Sequence, residues 1–370
     1  MNSDHSNSLR LFLCGDVMTG RGIDQVLPYP GNPVLYEPSV GDAREYVALA
    51  ENVNGPIRRP VSLDYIWGEA LAALANVDLR IINLETSITS DGAPWPDKGI
   101  HYRMHPRNIG CLSAAGITGC ALANNHVLDW GAAGLVETLQ VLDRAGIAHA
   151  GAGRNQVEAA GPAVLNAGSK GRVLLFSFGA VTSGIPTEWS ATPVRPGVAL
   201  LGDLSVTTAE QIAWQMRQFQ QPGDLLVASI HWGANWGYDI PTQQIAFAHR
   251  LIEEGVAVVH SHSSHHVKAI EVFKERLILY GCGDFLSDYE GIGGYESFRD
   301  DLVLMYLVGL EQGSGRLLSA RLVPFQMRRF RLENASEEDA EWLRALLNRL
   351  GASFGTRVHL THPEGMILQW

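Results

Sequence analysis

The chain predicts an α/β layered fold that becomes α+β toward its C-terminal end, and three observations carry that reading. Short, almost wholly apolar segments alternate with segments of helical periodicity as far as about residue 266. Such continuous apolar runs are what strands covered on both faces require. Short polar motifs follow several of the apolar runs, and beyond residue 266 the alternation gives way to hairpins.

The elements follow in order. Leu9 to Cys14 is the first buried strand. Residues 63–76 place Ile66, Ala70, Leu71 and Leu74 at helical spacing and lead into a strand over Leu79 to Ile82. Pro106 to Ala115 reads as a helix with Pro in its first turn and Gly116 as its stop, followed by a strand over Ile117 to Ala123. Gly134 to Ala145 is a helix ended by Gly146, Arg172 to Phe178 a strand, and Thr208 to Gln220 a helix before Pro222-Gly223. Strands over Leu225 to Ile230 and Val256 to His260 flank a helix over Thr242 to Glu254. Further on, Ala269 to Phe273 and Leu277 to Tyr280 form a hairpin, as do Leu302 to Leu310 and Leu317 to Phe325 across a Gly-Ser-Gly turn. Glu337 to Leu350 is an amphipathic helix, and a last hairpin turns at Pro363-Glu364-Gly365. Residues 28–60 and 181–204, rich in Pro and Gly, read as long irregular stretches of the kind that serve as lids or insertions.

Composition narrows the function. The 370 residues can bury one large core with a smaller appendage. A net charge of −11, from 28 basic against 39 acidic residues, with Arg328-Arg329-Phe330-Arg331 as the one basic run, argues against nucleic acid as a partner. Cys14, Cys111, Cys120 and Cys282 lie in apolar segments without a CxxC pair and read as buried reduced thiols. Met1 to Ser8 is polar, and no run of about 18 apolar residues follows, so a membrane anchor is not expected and a cytoplasmic location is.

The chemistry lies in the polar motifs. Gly15-Asp16 closes the first strand, and Asn83 and Glu85 share one face of Ile-Ile-Asn-Leu-Glu because strand side chains alternate. Asn124-Asn125-His126 follows the strand ending at Ala123, and His231 ends another, before the aromatic loop Trp232, Trp236 and Tyr238. His260, His262, His265 and His266 crowd seven residues at a strand-to-loop transition. Each motif alone is as well explained by a cap, a turn or a core histidine. Together, at successive strand ends, they are what a divalent metal bound by oxygen and imidazole needs, with Mn, Fe, Zn or Ca all compatible.

These residues also carry a resemblance. Gly-Asp-Val-Met, Asn-Leu-Glu, Ala-Asn-Asn-His-Val-Leu-Asp-Trp-Gly, His-Trp-Gly and His-Ser-Ser-His-His-Val, in this order, resemble the CapA family of poly-γ-glutamate synthesis accessory proteins, from about Leu9 to Leu310. Tyr280-Gly-Cys-Gly-Asp-Phe-Leu resembles that family's closing motif. The family is similar to calcineurin-like metallophosphoesterases, which implies a β-sandwich flanked by helices over residues 9–310 and a C-terminal α+β extension over 311–370 packed on it. The resemblance implies Asp16, Glu85, Asn125, His231, His262 and His265 as metal ligands, His126 as the proton-donating histidine and Asp129 as its orienting carboxylate; His265 is also a candidate catalytic group. Three departures stand out. Asp16-Val-Met18 replaces Asp-x-His, Ser261 replaces a Gly, and Tyr295 stands where related sequences usually have His.

Three functions fit. A metal-bound water could attack a phosphoester or amide of a small or peptidic substrate while His126 protonates the leaving group. Alternatively, acid and base residues could remove and return a Cα proton of a peptide, as in the family branch that resembles peptide epimerases, with Asp97, His101 or His105 supplying a base. The third is a non-catalytic accessory role in polymer synthesis. Arg103, Trp232 and Trp236 are the candidate substrate contacts.

Overall fold

A computed structural model gives the fold and describes residues 8–361 and 365–370. Two mixed sheets lie face to face with helices on their outer sides. In the first sheet, Ser8–Val17, Leu79–Leu84, Gly119–Ala121 and Ala148–Ala150 run parallel in that order. On the other side of Ser8–Val17 the sheet continues through the antiparallel strands Leu302–Glu311, Leu317–Arg328, Gly365–Gln369 and Arg357–Thr361. In the second sheet, Arg172–Ala180, Leu225–His231, Val258–His262 and Arg276–Leu279 are parallel neighbours, and Ile270–Phe273 closes the edge. Parallel strands end at the same edge, which is how distant motifs meet.

Strand alternation divides the core into three layers. Leu9, Leu11 and Leu13 point between the sheets, against Val173, Leu175, Leu225 and Val227 of the second sheet. Phe12 and Cys14, one residue out of step, face the helical side of the first sheet, together with Leu135, Leu139 and Leu142 of the helix Gly131–Ala145. Leu174, Phe176, Leu226 and Ala228 face the helices Val206–Arg217 and Thr242–Glu253. Each fully buried Leu, Val or Phe contributes about 1.5–3 kcal/mol of transfer free energy.

The helix-flanked β-sandwich is the architecture the sequence implies, and most elements fall where expected. The exceptions have local causes. The helix expected over 63–76 is broken into Tyr65–Trp67, Ala70–Ala73 and Leu74–Asn76. Gly68, at φ +46°, passes so close to the neighbouring strand Arg331–Asn334 that a Cβ there would lie 2.1 Å from the Leu332 carbonyl oxygen. The stretch 28–60 is not irregular throughout, because Arg44–Asn54 is a helix burying Tyr46, Val47 and Ala50. The strand expected over Ile117 to Ala123 shortens to Gly119–Ala121, and the one expected over Val256 to His260 runs instead from Val258 to His262.

Leu317–Arg328 pairs along nearly the whole of Leu302–Glu311, and Leu343, Leu346 and Leu347 of the helix Glu337–Gly351 enter the layer between the sheets. Of the last hairpin's turn, Pro363 and Glu364 lie outside the described residues. The four cysteines are free and buried. Among the described residues no helix is long and apolar enough to cross a membrane.

Candidate metal centre

The site is built where the two sheets end side by side. Asp16 stands opposite Asn83 on one neighbouring strand and opposite Asp284 on the other. The two Gly-Asp pairs touch through backbone, since the Asp16 N–H donates to the Gly283 carbonyl at 3.0 Å. Gly15 permits this approach, as a Cβ there would fall 1.7 Å from the same oxygen. Asn83 donates to Asp16 Oδ1 at 2.7 Å, and Asn124 in turn donates to Asn83 Oδ1 at 3.0 Å, so a chain of carboxamides fixes the carboxylate. Ser263 N–H donates to the other Asp16 oxygen at 3.2 Å.

The second sheet brings nitrogen. His231 and His262 stand opposite each other on adjacent parallel strands, with their Nδ1 atoms 2.8 Å apart and His262 Nδ1 3.7 Å from Asp16 Oδ1. Ser229 Oγ lies 2.9 Å from His262 Nε2 and 3.0 Å from His260 Nδ1, while His260 Nε2 lies 2.7 Å from the Cys14 carbonyl. His260 is thus tied to backbone and holds the relay that turns His262 toward Asp16. In the loop beyond, His265 Nδ1 lies 3.0 Å from Asp284 Oδ1.

Two donor groups result, Asp16 with His231 and His262, and Asp16 with His265 and Asp284, each with its ligand atoms within 4.8 Å of one another. Their chemistry fits a divalent cation. Asp16, Glu85 and Asp284 are buried, and their ion pairs among the described residues are with imidazoles, not with Lys or Arg. Burial, then the charge of Asp284, pushes Asp16 up to about 7, and burial followed by Asp16 pushes Glu85 well above the ordinary carboxylate range. Asp284 Oδ2 is buried with no hydrogen-bond partner among the described residues. A cation between these groups would satisfy that oxygen and offset the crowded negative charge.

A cleft of about 460 Å³ lies beside this centre and meets it at His265, with His126, Asn125, Lys98, Tyr102 and Arg21 also in its lining. His126 stacks on Tyr102 at 3.8 Å between centroids. Its Nδ1 lies 2.6 Å from Asp129 Oδ2, and its Nε2 lies 3.7 Å from Glu85 Oε1. Asp129 is fixed by the Tyr102 N–H at 2.7 Å and by an ion pair with Lys98. Burial, then the ammonium of Lys98, holds His126 well below the usual histidine range. That direction favours the neutral ring, whose Nε2 faces Glu85.

The structure thus brings Asp16, Glu85, His231, His262, His265, His126 and Asp129 together. Asn125 is adjacent, with its Oδ1 3.1 Å from His231 Nε2. Arg103 is not in the cleft lining, because its guanidinium lies over Trp130 at 3.7 Å and donates to the Asn32 carbonyl. Trp232 is core, packed on Phe247 with its indole N–H donated to the Tyr280 carbonyl at 3.3 Å. Trp236 does line the cleft, stacked on Tyr295 at 3.8 Å. Of the loop expected to supply a base, His101 bonds to the Trp95 carbonyl and His105 caps the turn Pro106–Ile109. Their neighbour Lys98 reaches the cleft. Sequence reasoning missed Lys98, Arg21 and Asp284. For Asp284 a signal existed, since Gly283-Asp284 repeats the pair Gly15-Asp16.

The profile of the family described as "Bacterial capsule synthesis protein PGA_cap" matches residues 10–289. A relative in Mycobacterium tuberculosis, named "Probable polyglutamine synthesis accessory protein", is 47% identical over 360 residues, covering 96% of this chain and 94% of its own. The "Capsule biosynthesis protein CapA" of Bacillus anthracis is 24% identical over 81% of this chain and 64% of its own length. Among solved structures, a 5'-nucleotidase precursor from Thermus thermophilus aligns with 14% identity and a TM-score of 0.44, over 93% of this chain and 59% of that one.

Proposed function

The chain belongs to the bacterial capsule synthesis protein PGA_cap family, and from that premise we propose that it is a metal-dependent enzyme acting on a small or peptidic substrate that carries a carboxylate or phosphoester, in the metabolism of a glutamyl polymer. The observation that carries the reading is Asp16, shared by two donor groups and accompanied by an oxygen of Asp284 that has no partner among the described residues, with His265 of the second group lining the cleft. Asp16, His231, His262, His265 and Asp284 would hold the cation, with Glu85 beside them. A bound divalent ion supplies Lewis-acid polarisation of a substrate oxygen.

The chain's own residues provide the rest. Asn83 and Asn124 keep Asp16 from rotating, and Ser229 keeps His262 aimed. His126, oriented through Nδ1 by Asp129, presents Nε2 to the cleft side of Glu85, where it can take up a proton. Tyr102 and Lys98 hold that pair in place, and the stacked ring of Tyr102 excludes water from one face of the imidazole.

A second reading, epimerisation at Cα, draws on one specific feature: two imidazoles on different elements, His126 and His265, line the same cleft. Proton removal and return need two such groups. The test is metal content by mass spectrometry on the wild type and on a folded His231→Ala, His262→Ala double variant, followed by incubation of the loaded protein with phosphoesters and glutamyl peptides in deuterated water. Bound metal lost in the variant, with a change of product mass, supports hydrolysis. Deuterium gained at Cα without cleavage supports epimerisation. Metal-free protein after exposure to divalent ions would overturn both and leave the accessory role named for its relatives.

A further inference from the structure

Arg21 has no place in the chemistry above, yet it is the most elaborately held side chain of the cleft. It begins the short helix Arg21–Val26 at φ +42°, a left-handed conformation costly for any residue other than glycine. Its guanidinium is buried and uses its two sides differently. On one side, Nε donates to Asp288 at 3.2 Å and Nη2 also bonds Asp288, which is itself anchored by the Gly22 N–H at 2.8 Å. On the other, Nη1 donates to Glu37 Oε1 and to the Tyr46 hydroxyl, each at 3.0 Å. The plane lies over the Tyr46 ring at 3.9 Å and the Tyr102 ring at 4.8 Å. An aromatic-walled guanidinium that presents a further edge beyond its pairing with Asp288 is a carboxylate receptor.

The group filling that edge comes from an exposed part of the chain. Residues 33–43 form a small hairpin closed on itself by Leu35 N–H to Gly41 and Ala43 N–H to Pro33, with Val34 and Tyr36 largely exposed. Glu37, Pro38, Ser39 and Val40 of this hairpin line the cleft. Its tip reaches the body through two adjacent side chains, Tyr36 edge-on to His101 and Trp130, and Glu37 on Arg21 and Tyr46. Arg21 does not need Glu37 for charge balance, because Asp288 already supplies one full countercharge. A second carboxylate leaves the triad net negative in a buried place, an arrangement better suited to holding a position than to holding the fold.

We propose that Arg21 is a carboxylate-binding residue of the cleft, and that Glu37 occupies its free edge until the carboxylate of an acidic ligand displaces it and releases the 33–43 hairpin. This rests on the reading that the cleft takes an acidic small or peptidic substrate, but not on any metal chemistry. Glu37 then acts as an internal stand-in for a glutamyl side chain, and the hairpin opens only for ligands that can replace it.

The experiment is calorimetric titration of glutarate, at constant ionic strength, into wild type, Glu37→Gln and Glu37→Gln with Arg21→Lys, each with and without EDTA. Removing a competitor that fills the site more than nine-tenths of the time tightens apparent affinity about tenfold. That gain is expected in Glu37→Gln in both metal states and is expected to vanish with Arg21→Lys. As a readout independent of the Arg21 variant's folding, glutarate should accelerate chymotryptic cleavage of the wild type at Tyr36. An unchanged affinity in Glu37→Gln, together with glutarate-insensitive cleavage, overturns the proposal. Binding that disappears with EDTA and ignores Glu37 would also overturn it, by assigning the carboxylate to the metal centre, and would leave the proposed function standing.

Discussion

The first sheet supplies the candidate metal centre with oxygen and the second with nitrogen, and the two halves are held in different ways. Asp16, Glu85 and Asp284 come from strand ends of the first sheet, where backbone contact between two Gly-Asp pairs sets the spacing. His231 and His262 come from adjacent strands of the second, where a serine hydroxyl between two imidazoles sets the aim. A position fixed by backbone packing has no slack, whereas one fixed by a side-chain relay can be loosened by degrees. The oxygen half should therefore fail abruptly and the nitrogen half gradually.

The largest effect is expected at Gly15. Gly15→Ala drives a methyl group into the Gly283 carbonyl, which cannot move without parting Asp16 from Asp284. Overpacking against backbone costs about 3 kcal/mol or more, roughly a 5 °C fall in melting temperature, and metal binding should be lost altogether. Calorimetry and metal analysis check this. A variant that keeps full metal content would show that the oxygen half has slack after all.

Next in size is the contrast between shared and unshared ligands. Asp16→Asn touches both donor groups and should abolish binding, while Asp284→Asn touches one and should leave the group around His231 and His262 able to bind. Mass-spectrometric stoichiometry distinguishes them, and equal losses in both variants would mean that the two groups form a single site. Smaller again is Ser229→Ala, which removes the relay but no ligand. Loss of such an orienting contact weakens metal affinity about tenfold, with about 1 kcal/mol of stability from the broken hydrogen bonds.

This contrast also explains what the sequence could show. Each half is legible alone, because strand-end motifs such as Gly15-Asp16 and His260 to His265 announce themselves in the chain. The layered fold is legible for the same reason, since apolar runs such as Leu225 to Ile230 mark the strands directly. The junction is not. That Asp16 stands opposite Asp284 depends on a parallel pairing between residues far apart in the chain, and Lys98 reaches His126 only because the loop before Tyr102 folds back over Asp129. Arg103, by contrast, has the charge of a substrate contact, but stacking on Trp130 turns it away from the cleft. Charge and residue type are in the sequence, while direction is set by packing.

A last contrast separates two tryptophans of one loop, both of which follow His231. Trp232 lies against Phe247 on the helical side of the second sheet and gives its N–H to Tyr280, so Trp232→Phe should lower stability by about 1–2 kcal/mol. It should leave the affinity of a cleft ligand such as glutarate unchanged. Trp236 is half-buried, stacks on Tyr295 and lines the cleft, so Trp236→Ala should do the reverse, with a weaker ligand affinity and a nearly constant melting temperature. Thermal melts and titrations on the two variants check the pair. If Trp232→Phe weakened ligand binding as much as Trp236→Ala, the loop would act as one unit. The core of the second sheet, and not only its histidines, would then determine what the cleft accepts.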